Sequence, residues 1–325
     1  MSLDFLASYV ERVEKEIRNL PLPGLPASLY DPQRYVLQMG GKRIRPVFTL
    51  LACGLCGGDT EDAMPAALSV ELLHNFTLIH DDIMDQASSR RGVPAVHKKW
   101  DTSTAILSGD GMYTQALMLL HRLPDSVAFK KVSALFLDGI NHVCEGQALD
   151  MEFESREDVS TDEYLTMIAG KTAALISTSL QIGGAVAGAG SETLGRLDQL
   201  GVSLGLAFQV QDDLLDVVAD PEKFGKKEAG DIYEAKKTWL MTSLFEACNK
   251  EEKKWLLNCL KESRPTDEDV KEVIGLYKKY HILESARTTM NRYYTDAEEI
   301  LELFAESDYK QDLYKLIQTL KAREY

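Results

Sequence analysis

Two aspartate clusters of one form lie far apart in the chain: Asp81-Asp82-Ile83-Met84-Asp85 and Asp212-Asp213-Leu214-Leu215-Asp216. An apolar-periodic run leads into each, His74 to His80 in the first case and Leu200 to Gln211 in the second. On an α-helix, side chains four residues apart project from one face, a turn above one another. Asp81 therefore stands beside Asp85, and Asp212 beside Asp216. Like charges at that spacing destabilise an isolated helix by roughly 0.2–0.5 kcal/mol. A solvated helix end explains one such cluster. A second, at the end of another apolar helix, points to a cation between them. Mg²⁺ fits, because one or two carboxylates plus substrate phosphate oxygens commonly hold it.

Basic residues surround the acids. Gly40-Gly41-Lys42-Arg43-Ile44-Arg45-Pro46 is the densest basic cluster in an acidic chain. Glycine lets backbone approach an anion closely, while Lys and Arg supply point-charge and forked contacts to phosphate. Arg90-Arg91-Gly92 begins five residues after Asp85, where the first helix ends. Gly170-Lys171-Thr172, Gly225-Lys226-Lys227 and Lys236 follow, and His74 precedes Asp81 by two turns near the same face. Alternating metal sites and fixed cations suit a ligand with clustered negative charge, a diphosphate best of all. Such groups stabilise a departing diphosphate without any protein nucleophile. The chain has no GxSxG, no P-loop and no GxGxxG after a strand, so ATP-type phosphoryl transfer is disfavoured.

The bulk properties agree. With 325 residues, 45% of them apolar and 27% charged, the chain reads as a soluble globular protein with a sizeable core. A formal net charge of −15 argues against nucleic-acid partners, which need a basic face. Met1 to Leu20 lacks the basic-then-apolar pattern of a secretory leader. Thr172 to Ser191 is uncharged, but Ser177, Thr178, Ser179, Gln181, Gly183, Gly184, Gly188 and Gly190 mark it as a packed internal helix rather than a membrane span. The expectation is a cytoplasmic protein. Five cysteines do not suggest a disulfide framework, and the CxxC of Cys53 and Cys56 sits among leucines as a packing element.

Helical periodicity dominates Phe5 to Leu20, Ala66 to Met84, Ala105 to Leu120, Val132 to Met151, Tyr164 to Val186, Leu194 to Val218, Trp239 to Cys248 and Val270 to Phe304. Pro- and Gly-containing punctuation falls between these runs, and Thr266 with Asp269 reads as a helix start. No flexible linker or short repeat is visible. One all-α domain over residues 1–325, with about a dozen helices around a central cavity, is the predicted architecture.

These residues carry a family resemblance. The motifs are GGKRIRP at 40–46, LIHDDIMD at 78–85, RRGVPAVH at 90–97, GQALDM at 146–151, GKT at 170–172, FQVQDDLLD at 208–216 and GKKEAGDI at 225–232. In that order they resemble the trans-isoprenyl diphosphate synthases (polyprenyl synthetases) over nearly the whole chain. The resemblance implies antiparallel helices around a deep cavity, a homodimer, and three Mg²⁺ ions per active site. It also implies that an allylic diphosphate ionises, its cation alkylates isopentenyl diphosphate, and proton loss gives a chain five carbons longer. On this resemblance Asp81, Asp85 and Asp212 ligate Mg²⁺, supported by Asp216 and Asp82. Lys42, Arg45, His74 and Arg91 hold isopentenyl diphosphate. Arg90, Lys171, Thr172, Gln209, Lys226 and Lys236 hold the allylic diphosphate. Lys237 is the alternative to Lys236, because the spacing after Gly225 is a residue longer than in some eukaryotic farnesyl diphosphate synthases.

Two other classes fit less well. A class I terpene cyclase usually replaces the second aspartate cluster by an Asn/Ser/Glu triad and lacks an isopentenyl diphosphate site. A non-catalytic subunit of a heteromeric synthase typically loses aspartates. This chain keeps both clusters and GGKRIRP. For product length, Phe76 lies five residues before Asp81 and Thr77 four before, with no insertion in the first cluster. Within the family that pattern resembles synthases of geranylgeranyl diphosphate (C20), with farnesyl diphosphate (C15) the alternative.

Overall fold

Helices follow one another along the chain in the computed structural model, which describes residues 4–218, 229–261 and 265–323. After a short turn at Asp4–Leu6 come α1 (Ala7–Arg18), α2 (Ala27–Gln38), α3 (Ile44–Leu55) and α4 (Met64–Met84). A small hairpin, β1 (Ser89–Arg90) and β2 (Val93–Pro94), leads to α5 (Val96–Lys99), α6 (Thr102–Leu120) and α7 (Phe129–Ser155). Next are α8 (Thr161–Ile168), a π-helical turn (Ala169–Ala173), α9 (Ala174–Val186) and α10 (Ser191–Val218). The remainder comprises α11 (Gly230–Tyr233), α12 (Trp239–Ala247), α13 (Lys250–Lys261), α14 (Asp267–Lys279), α15 (Ile282–Glu302) and α16 (Asp308–Lys321).

Burial explains which helices are central. In α3 every residue from Pro46 to Leu55 is buried, and in α9 only Gln181 is not. A helix that is apolar on every side belongs inside. Accordingly α3 packs on α9, α4 on α6 and α3, and α10 on α9 and α15. The helices carrying the two aspartate clusters, α4 and α10, thus both touch the buried α9. Small residues make that packing close: a methyl added at Gly201 of α10 would stand 2.6 Å from the Ser177 amide nitrogen.

Side-chain caps start several of the helices. Asp101 accepts from Thr104 N, Thr238 from Met241 N and Ser307 from Lys310 N. Ser160 with Glu163, and Thr266 with Asp269 as read from the sequence, form full capping boxes.

The structure subdivides several predicted helices. Tyr164 to Val186 is interrupted by the π-helical turn, and Val270 to Phe304 breaks where His281 adopts a left-handed φ of 54°. The helices α2, α3, α13 and α16, with the single-turn α5 and α11, lie beyond the runs identified from periodicity. Arg91-Gly92 is the two-residue turn of the hairpin, with φ of 52° and 78°, the positive values such turns demand.

No helix among the described residues is long and apolar enough to cross a membrane. All five cysteines are free. Burial pushes the Cys53 thiol up to about 12 and Cys56 up to about 11, which disfavours the thiolate at both.

Candidate active site

The first cluster ends α4. Asp81 is half-buried, and burial raises its carboxyl to about 6 against the opposing influence of Lys171. Asp85, exposed at the helix C-cap, raises it further. The middle residue does something else. Asp82 is buried and accepts from Arg90 Nε at 2.8 Å and Nη2 at 2.6 Å, tying the hairpin to the end of α4.

The second cluster lies near the end of α10, and here both later aspartates are buried. Asp212 keeps part of its side chain exposed, with Arg323 Nη1 3.4 Å from its Oδ1. Asp213 is buried, and its carboxylate accepts from the Tyr164 hydroxyl at 2.6 Å, the Trp239 amide at 2.9 Å and Gln209 Nε2 at 3.0 Å. Burial nevertheless pushes it up to about 7, with the three hydrogen bonds pulling against that rise. Asp216 is buried as well, and its carboxylate accepts from the Asp231 amide at 3.0 Å at the start of α11.

The allylic-side residues of the sequence reading stand around these acids. Lys171, on the π-helical turn, pairs with Asp150 of α7 and lies close enough to Asp81 to influence its ionisation. The Thr172 hydroxyl donates to Gln209 Oε1 at 3.3 Å, and Gln209 is in turn held by Asp213. Lys236 pairs with Glu234 at 2.6 Å and Asp231 at 3.3 Å, while Lys237 faces the Phe245 ring. Lys226 lies outside the described residues.

A basic cavity of ≈ 690 Å³ adjoins these acids, lined by Lys42, Arg45, His74, Arg91, Thr172 and Arg323 among others. Arg45 is half-buried and donates to His74 Nε2 at 3.2 Å. An arginine can only donate, so this contact puts the imidazole proton on Nδ1. Burial, and then the neighbouring arginines, hold His74 well below its ordinary range, hence neutral. Gly41 makes the cavity wall possible: a Cβ there would stand 2.8 Å from Arg91 Nη1, and its φ of 153° disfavours any side chain. Arg43 of the same motif points elsewhere. It is buried under α3, paired with Glu71 at 2.5 Å and Glu14 at 2.7 Å, and donates to the Leu37 carbonyl.

An apolar wall begins one helical turn before the first cluster. The Phe76 ring meets His80 at 4.6 Å and Tyr113 of α6 at 5.5 Å, and Tyr113 stacks on Phe136 of α7 at 6.2 Å. The Thr77 hydroxyl is turned back onto the His74 carbonyl at 2.8 Å.

Three site residues escaped the sequence reading. Asp150 sits in the GQALDM motif, three positions after Gln147, but nothing in its local pattern shows that Lys171 will pair with it. Tyr164 looks like an ordinary core aromatic until its hydroxyl meets Asp213. Arg323 reaches Asp212 across 111 positions of sequence.

Among the described residues no three His, Cys, Asp or Glu side chains form a ready-made metal cage. The donors nevertheless fit Mg²⁺, which takes only one or two carboxylates and fills its other positions with water and phosphate. Asp81 with Asp85 at the end of one helix, and Asp212 on the other, would supply such hard oxygen ligands.

An all-α bundle with paired aspartate helices and an adjoining basic cavity defines an enzyme that handles diphosphates. The polyprenyl synthetase family profile matches residues 26–277. The chain is 41% identical over 273 residues to a geranylgeranyl diphosphate synthase of Sulfolobus acidocaldarius, covering 83% of this chain and 82% of that one. It is 37% identical to a short chain isoprenyl diphosphate synthase of Methanothermobacter thermautotrophicus, with 99% of each covered. The crystal structure of a geranylgeranyl pyrophosphate synthetase from Pyrococcus horikoshii superposes with a TM-score of 0.93 at 34% identity, covering 99% of this chain and 98% of that one. The chain belongs to the polyprenyl synthetase family. It is a trans-prenyltransferase.

Proposed function

We propose that this enzyme condenses isopentenyl diphosphate head-to-tail with allylic diphosphates, with Mg²⁺ at Asp81, Asp85 and Asp212, and releases all-trans geranylgeranyl diphosphate (C20). The observation that carries this reading is a pair of adjoining cation groups. One is Lys42, Arg45, His74 and Arg91 in the cavity wall; the other is Lys171 beside Asp81, and Thr172, next to Lys171, also lines the cavity. In this reading isopentenyl diphosphate takes the first group and the allylic diphosphate, with its metal, takes the second. When bound, Mg²⁺ supplies positive charge to the departing allylic diphosphate. Lys171 and Arg90 do the same from the protein side, and Thr172 and Gln209 orient the group. Such cations gain value as charge grows on the leaving oxygen, so they favour the transition state over the ground state. Lys226 and Lys236 complete this set in our reading, and Asp216 supports it by holding the start of α11. The allylic carbocation then alkylates the double bond of isopentenyl diphosphate, loss of a proton from the resulting cation gives the longer chain, and the apolar wall of α4 keeps water away.

Phe76 serves as the floor for the growing chain, with Thr77 beside it. Each isoprene unit buries about five carbons, and at about 0.8 kcal/mol per CH₂ this favours elongation by roughly 4 kcal/mol wherever space exists. Affinity cannot stop the chain, whereas a packed wall can: even one extra methylene forced into an interior costs on the order of 1–3 kcal/mol. Phe76 is backed by Tyr113 and Phe136, so it cannot simply swing aside. The product of the Sulfolobus relative, as named, supports C20. Incubation with isopentenyl and dimethylallyl diphosphates and Mg²⁺, followed by mass spectrometry, should give the linear C20 diphosphate. A C15 end product would mean farnesyl diphosphate synthase, and a cyclic hydrocarbon would overturn the reading. Phe76→Ala should lengthen the product while preserving the rate of the first condensation; an unchanged distribution from a folded, active variant would put the floor on another helix.

Kinetics separate the two seats. Lys42→Ala and Arg45→Ala should raise KM for isopentenyl diphosphate at least about tenfold, a loss of about 1.4 kcal/mol or more, and change KM for the allylic substrate far less. Equal effects on both would undo the assignment.

A homodimer in a reducing, cytoplasmic setting fits the remaining features. Leu107 and Met118 of α6 are 58% and 55% exposed, and Leu137, Cys144 and Met151 recur at seven-residue spacing along α7 with exposed side chains. A second copy covering that apolar face would remove it from water, and five free thiols suit such a compartment.

A further inference from the structure

We propose that Arg323 is the resident counter-cation of Asp212, and that a metal ion must displace it before the site can load. This rests on the reading of Asp212 as a Mg²⁺ ligand. The contact is a built one, because consecutive turns of α10 hold the end of the chain that follows α16. Gln211 Nε2 donates to the carbonyls of Lys321 and Arg323, each at 3.4 Å, and the Tyr294 hydroxyl fixes Gln211 by donating to its Oε1 at 2.7 Å. The guanidinium carbon lies 5.3 Å from the centre of the Phe208 ring, one turn before Asp212. Ring, backbone and carboxylate thus position one side chain together.

The physical reason for such a placement is the cost of the empty site. A carboxylate poised to receive a divalent ion must stay ionised while partly shielded from water, and a lone charge there is unfavourable. A guanidinium is more weakly hydrated than an ammonium and matches carboxylate geometry, so it is suited to neutralise Asp212. It cannot remain on the same oxygen once a doubly charged ion arrives. Displaced from Asp212, Arg323 is still in the wall of the cavity with Lys42, Arg45 and Arg91. Loading the metal would then release Arg323 from Asp212 within the wall of that cavity. Arg323 would act as a positioning residue that links the two sites.

The test uses the full chain without substrate. Mn²⁺, an oxygen-seeking ion that electron paramagnetic resonance can follow, is titrated into wild type, Arg323→Gln, Asp212→Asn and the double variant. Amide hydrogen exchange over residues 319–323 is measured with and without Mg²⁺. Arg323→Gln should tighten one Mn²⁺ site by about two- to fivefold, the scale of a part-exposed ion pair. The gain should vanish in the Asp212→Asn background, and Mg²⁺ should speed exchange at 319–323 in the wild type. An equal gain in both backgrounds would reduce the effect to general charge and overturn the proposal. No gain from Arg323→Gln, with Asp212→Asn still weakening Mn²⁺, would sink the proposal alone. Unchanged Mn²⁺ binding in Asp212→Asn would remove Asp212 from the metal site and the proposal with it.

Discussion

Replacing Asp81 or Asp212 by alanine should leave a folded protein whose kcat is at least about a hundredfold lower. Losing one preorganised charge-stabilising group commonly costs about 10²–10³ in rate, and a metal ligand positions more than itself. The fold should hardly notice. Asp81 is a half-buried carboxyl whose ionisation is already resisted by burial and by Asp85. An acid whose folded pKa is raised destabilises the fold when ionised, and that penalty is present above its folded pKa of about 6. At pH 7 alanine relieves the penalty, so the melting temperature should hold or rise slightly. Asp212 loses only a long, part-exposed pair with Arg323, worth at most about 1 kcal/mol. Thermal melts and steady-state turnover at saturating Mg²⁺ check both halves. Near-normal turnover in either variant would reduce the clusters to surface charge.

Gly146→Ala should cost activity by a different route. Gly146 on α7 meets the π-helical turn backbone-to-backbone: an added Cβ would collide with the Lys171 amide nitrogen and stand 2.5 Å from the Gly170 carbonyl carbon. The contact is reciprocal, since a Cβ on Gly170 would stand 2.8 Å from the His142 carbonyl oxygen. Neither neighbour is a side chain that can rotate away, so the π-helical turn itself must shift. That turn carries Lys171 and Thr172. A displacement of about 1 Å in a positioning group can cost about a hundredfold, and kcat/KM for the allylic substrate should fall on that scale. Stability should drop less, because an overpacking cost of about 1–3 kcal/mol is partly offset by about 1 kcal/mol of better helix propensity. Gly195→Ala supplies the control. It lies in α10 with open space around its added methyl, so only the propensity gain should register. Unaltered allylic kinetics in Gly146→Ala would mean that the helices can part without moving Lys171.

The aspartate helices were legible because each is a long run with one chemically odd end, and periodicity plus like-charge spacing reveals both. The helix α3 was not, although GGKRIRP opens it. Buried on every side from Pro46 to Leu55, it has no polar face and hence no period to detect. The break between α14 and α15 lacks the usual glycine or proline: His281 takes the left-handed conformation unaided, so the sequence reads straight through. The candidate site was legible in its charged motifs and illegible in their partners. Arg90 was read as a ligand for the substrate, but its position depends on Asp82. Lys171 depends likewise on Asp150, and Asp212 meets Arg323 from the far end of the sequence. Residue type and local spacing advertise a charge; tertiary pairing decides which neighbour it answers to.

Asp82 and Asp213 occupy the same place in two copies of one motif, and both are buried against partners within the protein. One ties a hairpin to the close of α4; the other gathers Tyr164, Gln209 and the first amide of α12 around a buried carboxyl. Each DDxxD is therefore two inheritances written in one word. The first letter of each, Asp81 and Asp212, keeps part of its side chain open to solvent, whereas the last letter of the second, Asp216, is itself buried and holds the start of α11. The middle letter answers to architecture. Anyone borrowing the motif for a new scaffold would have to import its hidden struts, a tyrosine, an arginine and a helix start, along with the acids.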